Sequence, residues 1–472
     1  MDIPIQGSGN TAGRSLNEAC GVIALAERIP VSYRLVQSLR IIQHRGQESA
    51  GIALSGRKGV VVVKGMGLAN EVFSGKKLDE ESFSGIGHIR YSTAGSSIID
   101  NAQPLYAKIK NIDIAVGHNG EIANASEIKE ELENKGYSFI TNSDTEVIMK
   151  LISIELSRDS DPVRAMQNTF KKLIGAYSLV LIINGRIFAV RDPNAIRPLS
   201  IGRTGFGYGA SSEDIVFYQL GGEPVRDVNP GEIVEIKESG FLSYHIEEPR
   251  KPAHCMFEYV YFARPDSTLD GKNVFLVRKN IGRILARENP VEADLVIPVP
   301  DSGRSHALGY AEESGIPFVE GLIKNRYVDR TFIMPEQKGR ENELDIKLNP
   351  IKEIVEGKRL VLVDDSIVRG NTMKKIVRLL RERGAKEVHV RIGSPPIIAP
   401  CYLGIDMKTR SQFIASGKSL EEISRDIEAD SLAYLSLNGL IESIGLPEDN
   451  LCLGCLTGIY PVKIKNEKYR GY

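Results

Sequence analysis

The sequence predicts an α+β domain followed by an α/β domain built on a parallel sheet, and three patterns carry that reading. The first half, roughly 20–250, holds short β-branched runs (Val22–Ala26, Ser49–Leu54, Val60–Val63, Ile112–His118, Ser178–Ile183 and Arg186–Val190) punctuated by glycine-rich turns. Amphipathic stretches at Ser126–Lys135 and Thr145–Leu156 read as helices between them. The pattern breaks at Glu-Glu-Pro-Arg-Lys-Pro, residues 247–252, the expected domain boundary. Beyond it strand and helix alternate: Ala293–Pro298, His306–Ser314, Arg359–Val363, Met373–Arg383 and Glu387–Ile392. Strands separated by helices imply parallel crossover units. Residues 417–472 read as a tail of short helices and loops carrying Cys452-x-x-Cys455.

Composition narrows the class. The 472 residues suit two or three domains. Lys plus Arg total 60 and Asp plus Glu 61, a net charge of −1. A near-neutral chain lacks the basic excess of a general nucleic-acid or membrane-surface binder. No apolar run approaches the ~18 residues of a spanning helix. Residues 1–19 are rich in Gly, Ser, Asn and Thr and lack a secretory apolar region. They read either as a frayed tail or as a propeptide, since the first apolar strand opens at Cys20. Five cysteines without an export signal fit a reducing, cytoplasmic compartment.

The most informative segment runs from Arg359 to Thr372. An apolar strand ends in Asp364 and Asp365, and the loop Ser366-Ile-Val-Arg369-Gly370-Asn371-Thr372 opens the next helix. Ligands of open α/β sheets bind at the carboxyl ends of strands. Helix-start amides favour an anion, and Gly370 permits close backbone approach. Two acids beside a phosphate loop repel a phosphorylated ligand unless they hold hydroxyls or a cation. That combination points to a ribose bearing both hydroxyls and a Mg²⁺-diphosphate. Pro298-Val-Pro-Asp-Ser-Gly-Arg304 closes a neighbouring strand, and its Ser302 is placed to reach the cation or diphosphate. Lys324 and Arg330 lie in a basic loop suited to cover a diphosphate. The 359–372 segment resembles the phosphoribosyl pyrophosphate (PRPP) motif of type I phosphoribosyltransferases.

The first half carries a second constellation. Cys20-Gly-Val-Ile is followed by His44-Arg-Gly-Gln-Glu48-Ser-Ala-Gly51, then Gly87-His-Ile-Arg90-Tyr91-Ser-Thr93-Ala-Gly95. Gly117-His-Asn119-Gly120-Glu121 and Ser143-Asp144-Thr-Glu146 come next. In this order the segments resemble the class II glutamine amidotransferases, whose glutaminase domain has an N-terminal-nucleophile fold. An N-terminal α-amine can act as base for a thiol, because their pKa values are nearly matched, ~7.7–8.0 against ~8.5. An amide nitrogen cannot, so cleavage between Ala19 and Cys20 is expected, with 1–19 as propeptide. The resemblance assigns oxyanion stabilisation to the Asn119 side chain and the Gly120 N–H. It pairs Arg90 with the glutamine α-carboxylate and Asp144 with its α-ammonium, and it lines the pocket with Tyr91 and Thr93.

Together the halves are similar to the amidophosphoribosyltransferase family over nearly all of 20–472. The resemblance implies a glutaminase domain over 20–250 and a phosphoribosyltransferase domain with a cysteine-bearing tail over 251–472. It implies formation of 5-phosphoribosylamine from PRPP and glutamine, the first committed step of purine synthesis. It also implies one Mg²⁺ per subunit held by Ser302, Asp364 and Asp365, feedback inhibition by AMP and GMP, and a homotetramer. Cys255, Cys401, Cys452 and Cys455 match the ligands of a [4Fe–4S] cluster, one per subunit, in one branch of the family. Their spacing alone leaves four-cysteine zinc open, and the flanking residues favour iron–sulfur. Two positions depart from the family pattern: Gly303, where many relatives carry a hydroxyl, and Asp329, where glycine is usual. A different class II amidotransferase and a PRPP-sensing regulator are the competing readings.

Overall fold

The computed structural model describes residues 20–57, 59–91, 98–246, 250–325, 348–407 and 409–464. The expected propeptide 1–19 and the predicted site residues Thr93 and Arg330, with Asp329, lie outside them.

The chain divides into two compact units, and their borders differ from the boundary expected at 250/251. One unit comprises Glu18–Ile281, Ile398–Arg410 and Leu437–Tyr472; the other contains Gly282–Ile397 and Ser411–Ser436. The cysteine-bearing segments account for the difference. His254–Cys255 pairs in parallel with Leu451–Cys452, which fastens the chain end to the first unit.

Thirteen strands of the first unit form two sheets. They are β1 (Gly21–Glu27), β2 (Ser49–Gly56), β3 (Gly59–Met66), β4 (Ser84–Arg90), β5 (Leu105–Ile109), β6 (Ile112–Ile122), β7 (Gly175–Ile183), β8 (Arg186–Arg191), β9 (Ser200–Arg203), β10 (Gly207–Ser211), β11 (Glu223–Asp227), β12 (Glu232–Lys237) and β13 (Gly240–His245). Their orders are β11-β9-β10-β1-β4-β2-β3 and β13-β12-β8-β7-β6-β5. Alternation within strands explains the layering. Val22, Ala24 and Ala26 of β1 join Ala115 of β6, Val180 and Ile182 of β7 and Ala189 of β8 in a core between the sheets. Ile23 and Leu25, on the other face of β1, pack with Leu35 and Leu39 of the helix Ser32–Ile41. On the far side, Leu179 and Leu181 of β7 meet the helices Ala125–Asn134, Asp144–Arg158 and Pro162–Phe170. The result is helix, sheet, sheet, helix, with both central strands buried on two faces.

The second unit is built on a four-stranded sheet of Leu295–Pro298, Arg359–Asp364, Glu387–Ile392 and Ser431–Tyr434, in that order and parallel throughout. Buried Leu360, Leu362, Val388 and Val390 pack on Met373, Ile376, Val377 and Leu380 of the helix Asn371–Glu382. Strand Ser431–Tyr434 corrects the expectation of only helices and loops after residue 417. Its four residues are too few to show a period, and pairing with Glu387–Ile392 supplies what local pattern does not.

Candidate functional site

In the first unit, Cys20 immediately precedes β1. Because Gly21 pairs with Ile89, the antiparallel register sets Cys20 beside Arg90 at the end of β4. The Cys20 thiol is buried and donates to the Tyr91 carbonyl at 3.5 Å. Burial raises its pKa, and the charges of Glu48 and Asp144 add to the rise, while a backbone hydrogen bond of Tyr91 and the charge of Arg90 oppose it. A buried thiol held protonated needs a local base to become a nucleophile.

Two residues without a predicted role support this end of the site. Glu48 holds Arg90 through an ion pair of 2.7 Å, both groups largely buried. Arg45 donates its Nε–H to the Cys20 carbonyl at 3.1 Å, and its terminal nitrogens bind Glu213 and Glu258 at 2.7 to 2.9 Å. A fully buried arginine saturated by two carboxylates is a rigid peg, so it fixes the backbone of the residue that carries the nucleophile. Both residues stand inside the His44–Gly51 segment, which was the available signal.

Asn119 and Gly120 lie in the second half of β6. The Asn119 amide is buried, and among the described residues neither its nitrogen nor its oxygen has a hydrogen-bond partner. A buried orphan amide is costly, ~1–3 kcal/mol, and marks a place where a ligand completes the bonding. Gly120 has φ +146°, and a Cβ there would sit 2.0 Å from the Ala176 carbonyl oxygen, so only glycine fits. The segment is braced by its neighbours. His88 Nε2–H donates to the His118 carbonyl at 2.9 Å, and the His118 N–H donates to Gln103 Oε1 at 2.8 Å.

Asp144 is the first residue of the helix Asp144–Arg158, whose Ser143 side chain caps the Thr145 N–H. One Asp144 carboxylate oxygen accepts the Ile122 N–H at 2.9 Å, and the other is 3.5 Å from His118 Nδ1. These bonds tie Asp144 to the Asn119 strand. The fold therefore sets Arg90 and Tyr91 beside Cys20 and ties Asp144 to the strand that carries Asn119 and Gly120.

His88 gives this region a pH dependence. Burial pushes its pKa down to about 3, despite the His118 carbonyl that favours the charged form. Between pH ~6.5 and about 3 the unfolded chain binds a proton that the folded chain excludes. Stability from this group is present above pH ~6.5 and is lost as pH falls, by at most about 1.4 kcal/mol per pH unit. His88→Gln should flatten the fall in thermal midpoint between pH 6.5 and 4, read by calorimetry. An unchanged slope would remove His88 from the account.

Four further thiols gather in the same unit. Cys255 and Cys452 are register partners, Cys401 is buried, and the Cys455 carbonyl, in the short helix Gly454–Thr457, accepts from the Ile398 and Ala399 N–H groups. None is in a disulfide. Burial pushes Cys401 up to about 12, the neighbouring Cys255 adding to it; Cys452 is raised by burial and by Cys255, and Cys455 by burial and by Cys401. Among the described residues no three His, Cys, Asp or Glu side chains stand close enough to ligate one ion directly. The four thiols stand within electrostatic range of one another, and burial opposes ionising any of them without a cationic partner.

In the second unit the acids fall where expected. Asp364 ends the strand Arg359–Asp364, and its Oδ1 accepts the Asp365 N–H at 2.9 Å. Asp365 accepts from the Ser366 hydroxyl at 2.5 Å. Burial raises the Asp364 pKa well above the carboxylate range, and Asp365 raises it further. Gly370 caps the helix Asn371–Glu382 at φ +81°, and a Cβ there would stand 2.3 Å from Ile414 Cδ1. Asn371 and Thr372 form the first turn, which contains no acid to repel a phosphate. Arg369 bonds Gln412 at the surface at 2.5 Å.

The neighbouring strand Leu295–Pro298 brings Ser302 to the same end of the sheet, and Val299 N–H bonds the Val363 carbonyl at 2.9 Å. Lys324 and Arg304 pair with Asp301 at 3.0 and 3.2 Å. Exposed pairs of this kind are weak and exchange readily for a diphosphate. Gly303, a departure from the family pattern, has a local reason here. A Cβ would stand 2.5 Å from the Val363 carbonyl oxygen and 2.8 Å from that of Val299.

Comparison with known proteins supplies the family. A glutamine amidotransferase domain model matches residues 88–218, and a phosphoribosyl transferase domain model matches 269–392. The amidophosphoribosyltransferase of Methanocaldococcus jannaschii is 50% identical over 470 residues, spanning 96% of this chain and 99% of that protein. That of Bacillus subtilis is 45% identical over 457 residues, spanning 96% of each. A solved structure of the glutamine PRPP amidotransferase from B. subtilis complexed with ADP and GMP superposes with a TM-score of 0.88 at 44% identity, covering 95% of this chain and 98% of that one. With half its residues identical over nearly its full length, and both domains in the same order, the chain belongs to the amidophosphoribosyltransferase family.

Proposed function

We infer that this chain aminates PRPP with nitrogen taken from glutamine, giving 5-phosphoribosylamine, glutamate and diphosphate, the entry step of purine synthesis. The observation that carries the reading is the pair of sites: a buried thiol beside an orphan amide in one unit, and paired acids before a glycine-capped helix in the other.

At the first site the Cys20 thiol loses its proton to its own α-amine once residues 1–19 are removed. The thiolate attacks the glutamine amide carbon, and the Asn119 side chain and Gly120 N–H hold the oxyanion, donors worth ~10²–10³ in rate each. Ammonia leaves, and water hydrolyses the thioester to glutamate. Arg90 binds the α-carboxylate, Asp144 the α-ammonium, and Tyr91 and Thr93 line the pocket.

At the second site ammonia displaces diphosphate from ribose C1. Asp364 and Asp365 hold the ribose hydroxyls, while Ser366, Arg369, Gly370, Asn371 and Thr372 hold the 5-phosphate. Lys324 and Arg330 hold the diphosphate. Asp364, Asp365 and Ser302 are the residues that would hold Mg²⁺, whose charge neutralises the leaving group; two adjacent carboxylates, one strained by burial, fit a hard cation.

Cys255, Cys401, Cys452 and Cys455 would hold a [4Fe–4S] cluster, which joins three separate stretches of chain. Five cysteines free of disulfides support a reducing, cytoplasmic compartment, and no helix among the described residues is long and apolar enough to cross a membrane. Nucleotide binding is supported by the ADP and GMP in the B. subtilis complex, and inhibition by AMP and GMP follows from family resemblance. A homotetramer follows from family resemblance.

The test is a product assay on anaerobically purified protein. Glutamine, PRPP and Mg²⁺ should yield phosphoribosylamine and diphosphate in equal amounts. Glutamine hydrolysis without phosphoribosylamine would point instead to another acceptor.

A further inference from the structure

Gly404 lies three residues beyond Cys401, in a turn that closes on itself. Cys401 N–H bonds the Met407 carbonyl at 2.8 Å, Met407 N–H bonds the Ile405 carbonyl at 2.8 Å, and Leu403 N–H points at Cys401 Sγ at 3.4 Å. The turn is buried: Tyr402, Leu403, Ile405 and Met407 are all at most 3% exposed. It is held from behind by Tyr460, whose hydroxyl donates to the Pro400 carbonyl and whose ring stacks edgewise on Tyr402.

The front of the turn presses on the oxyanion strand. Gly404 has φ +106°. A Cβ on it would stand 3.0 Å from both the Cα and the carbonyl carbon of Gly120, and 3.4 Å from the Glu121 nitrogen. Gly120 is walled on its other side by the Ala176 carbonyl, 2.0 Å from where its own Cβ would be. The Gly120 peptide is thus clamped between β7 and a turn that carries one of the four gathered cysteines. Two glycines meeting backbone to backbone leave no side chain to absorb a displacement.

We propose that the Cys401–Met407 turn is the back wall of the oxyanion hole, with Gly404 the positioning residue that seats Gly120, so that whatever fixes Cys401 also tunes glutamine hydrolysis. The proposal rests on the reading of Asn119 and Gly120 as the oxyanion donors. Gly120 must meet the oxyanion with its N–H correctly aimed, and a shift of a few tenths of an ångström matters there but not for substrate binding at Arg90 and Asp144.

The test is a split between kinetic constants. Gly404→Ala should lower kcat for glutamine hydrolysis about tenfold or more, leave KM for glutamine within about twofold, and leave synthesis from added ammonium running. An unchanged kcat, or a loss confined to KM, overturns the proposal. Asn119→Ala serves as the control: if it leaves glutaminase kcat intact, the oxyanion reading itself fails. Should Gly404→Ala not accumulate as folded protein, hydrogen exchange on the wild type decides. Alkylation of Cys20 by an electrophilic glutamine analogue should slow exchange in 117–122 and in 399–407 together. Protection that omits 399–407 overturns the proposal.

Discussion

Cys20→Ser abolishes glutamine-dependent synthesis, by about 10³-fold or more, and leaves ammonium-dependent synthesis within about twofold of the wild type. A hydroxyl is a far weaker acid than a thiol, so an α-amine in a site built for sulfur generates much less nucleophile from it, whereas the thiol is nearly matched to the amine. The exchange is nearly isosteric in a site only 6% exposed, so the fold and the thermal transition should hold. Added ammonium bypasses the whole first unit. The paired measurement therefore separates loss of one site from loss of the protein. A PRPP-sensing regulator would be untouched by the substitution, and family membership argues against that reading in any case.

The second large effect lies in the other unit and has two signs. Asp365→Asn and Asp364→Asn should each lower synthesis about 10²–10³-fold with either nitrogen source, because each removes a charge-assisted bond to a ribose hydroxyl or to Mg²⁺. Asp364→Asn should also raise the thermal midpoint of the ligand-free protein. Asp364 is half-buried beside Asp365, and both desolvation and that neighbour disfavour its charge. A folded-state pKa above the unfolded one means that folding loses stability as pH rises past ~4. The benefit of Asn is accordingly absent below pH ~4 and grows toward neutrality, as differential scanning calorimetry would register. A variant that lost activity without gaining stability would contradict the picture of a strained carboxylate held for ligand binding.

The contrast between these sites explains what could be read from sequence. The PRPP loop is local: strand, two acids, glycine and helix start lie within 359–372, and each element formed where its pattern placed it. The glutaminase residues are dispersed, yet each sits in a short motif with its own turn or strand end, so the sequence marks Cys20, Arg90, Asn119 and Asp144 individually as candidates. Their supports were not. Glu48 and Arg45 act across 42 and 213 residues of sequence to Arg90 and Glu258, and no periodicity reports such pairs. The strand Ser431–Tyr434 and the membership of 398–410 and 437–472 in the first unit were missed for the same reason. Gly303 departs from the family pattern, and the carbonyls of Val299 and Val363 that it packs against leave no room for a side chain.

The measurement that bears most directly on the whole account is N-terminal sequencing of active, purified enzyme alongside its glutamine-dependent rate. The account predicts that the mature chain begins at Cys20 and that the rate scales with the fraction so processed. Full glutamine-driven turnover by chains that still carry Ala19 would contradict it, because the thiol would then have no amine to take its proton.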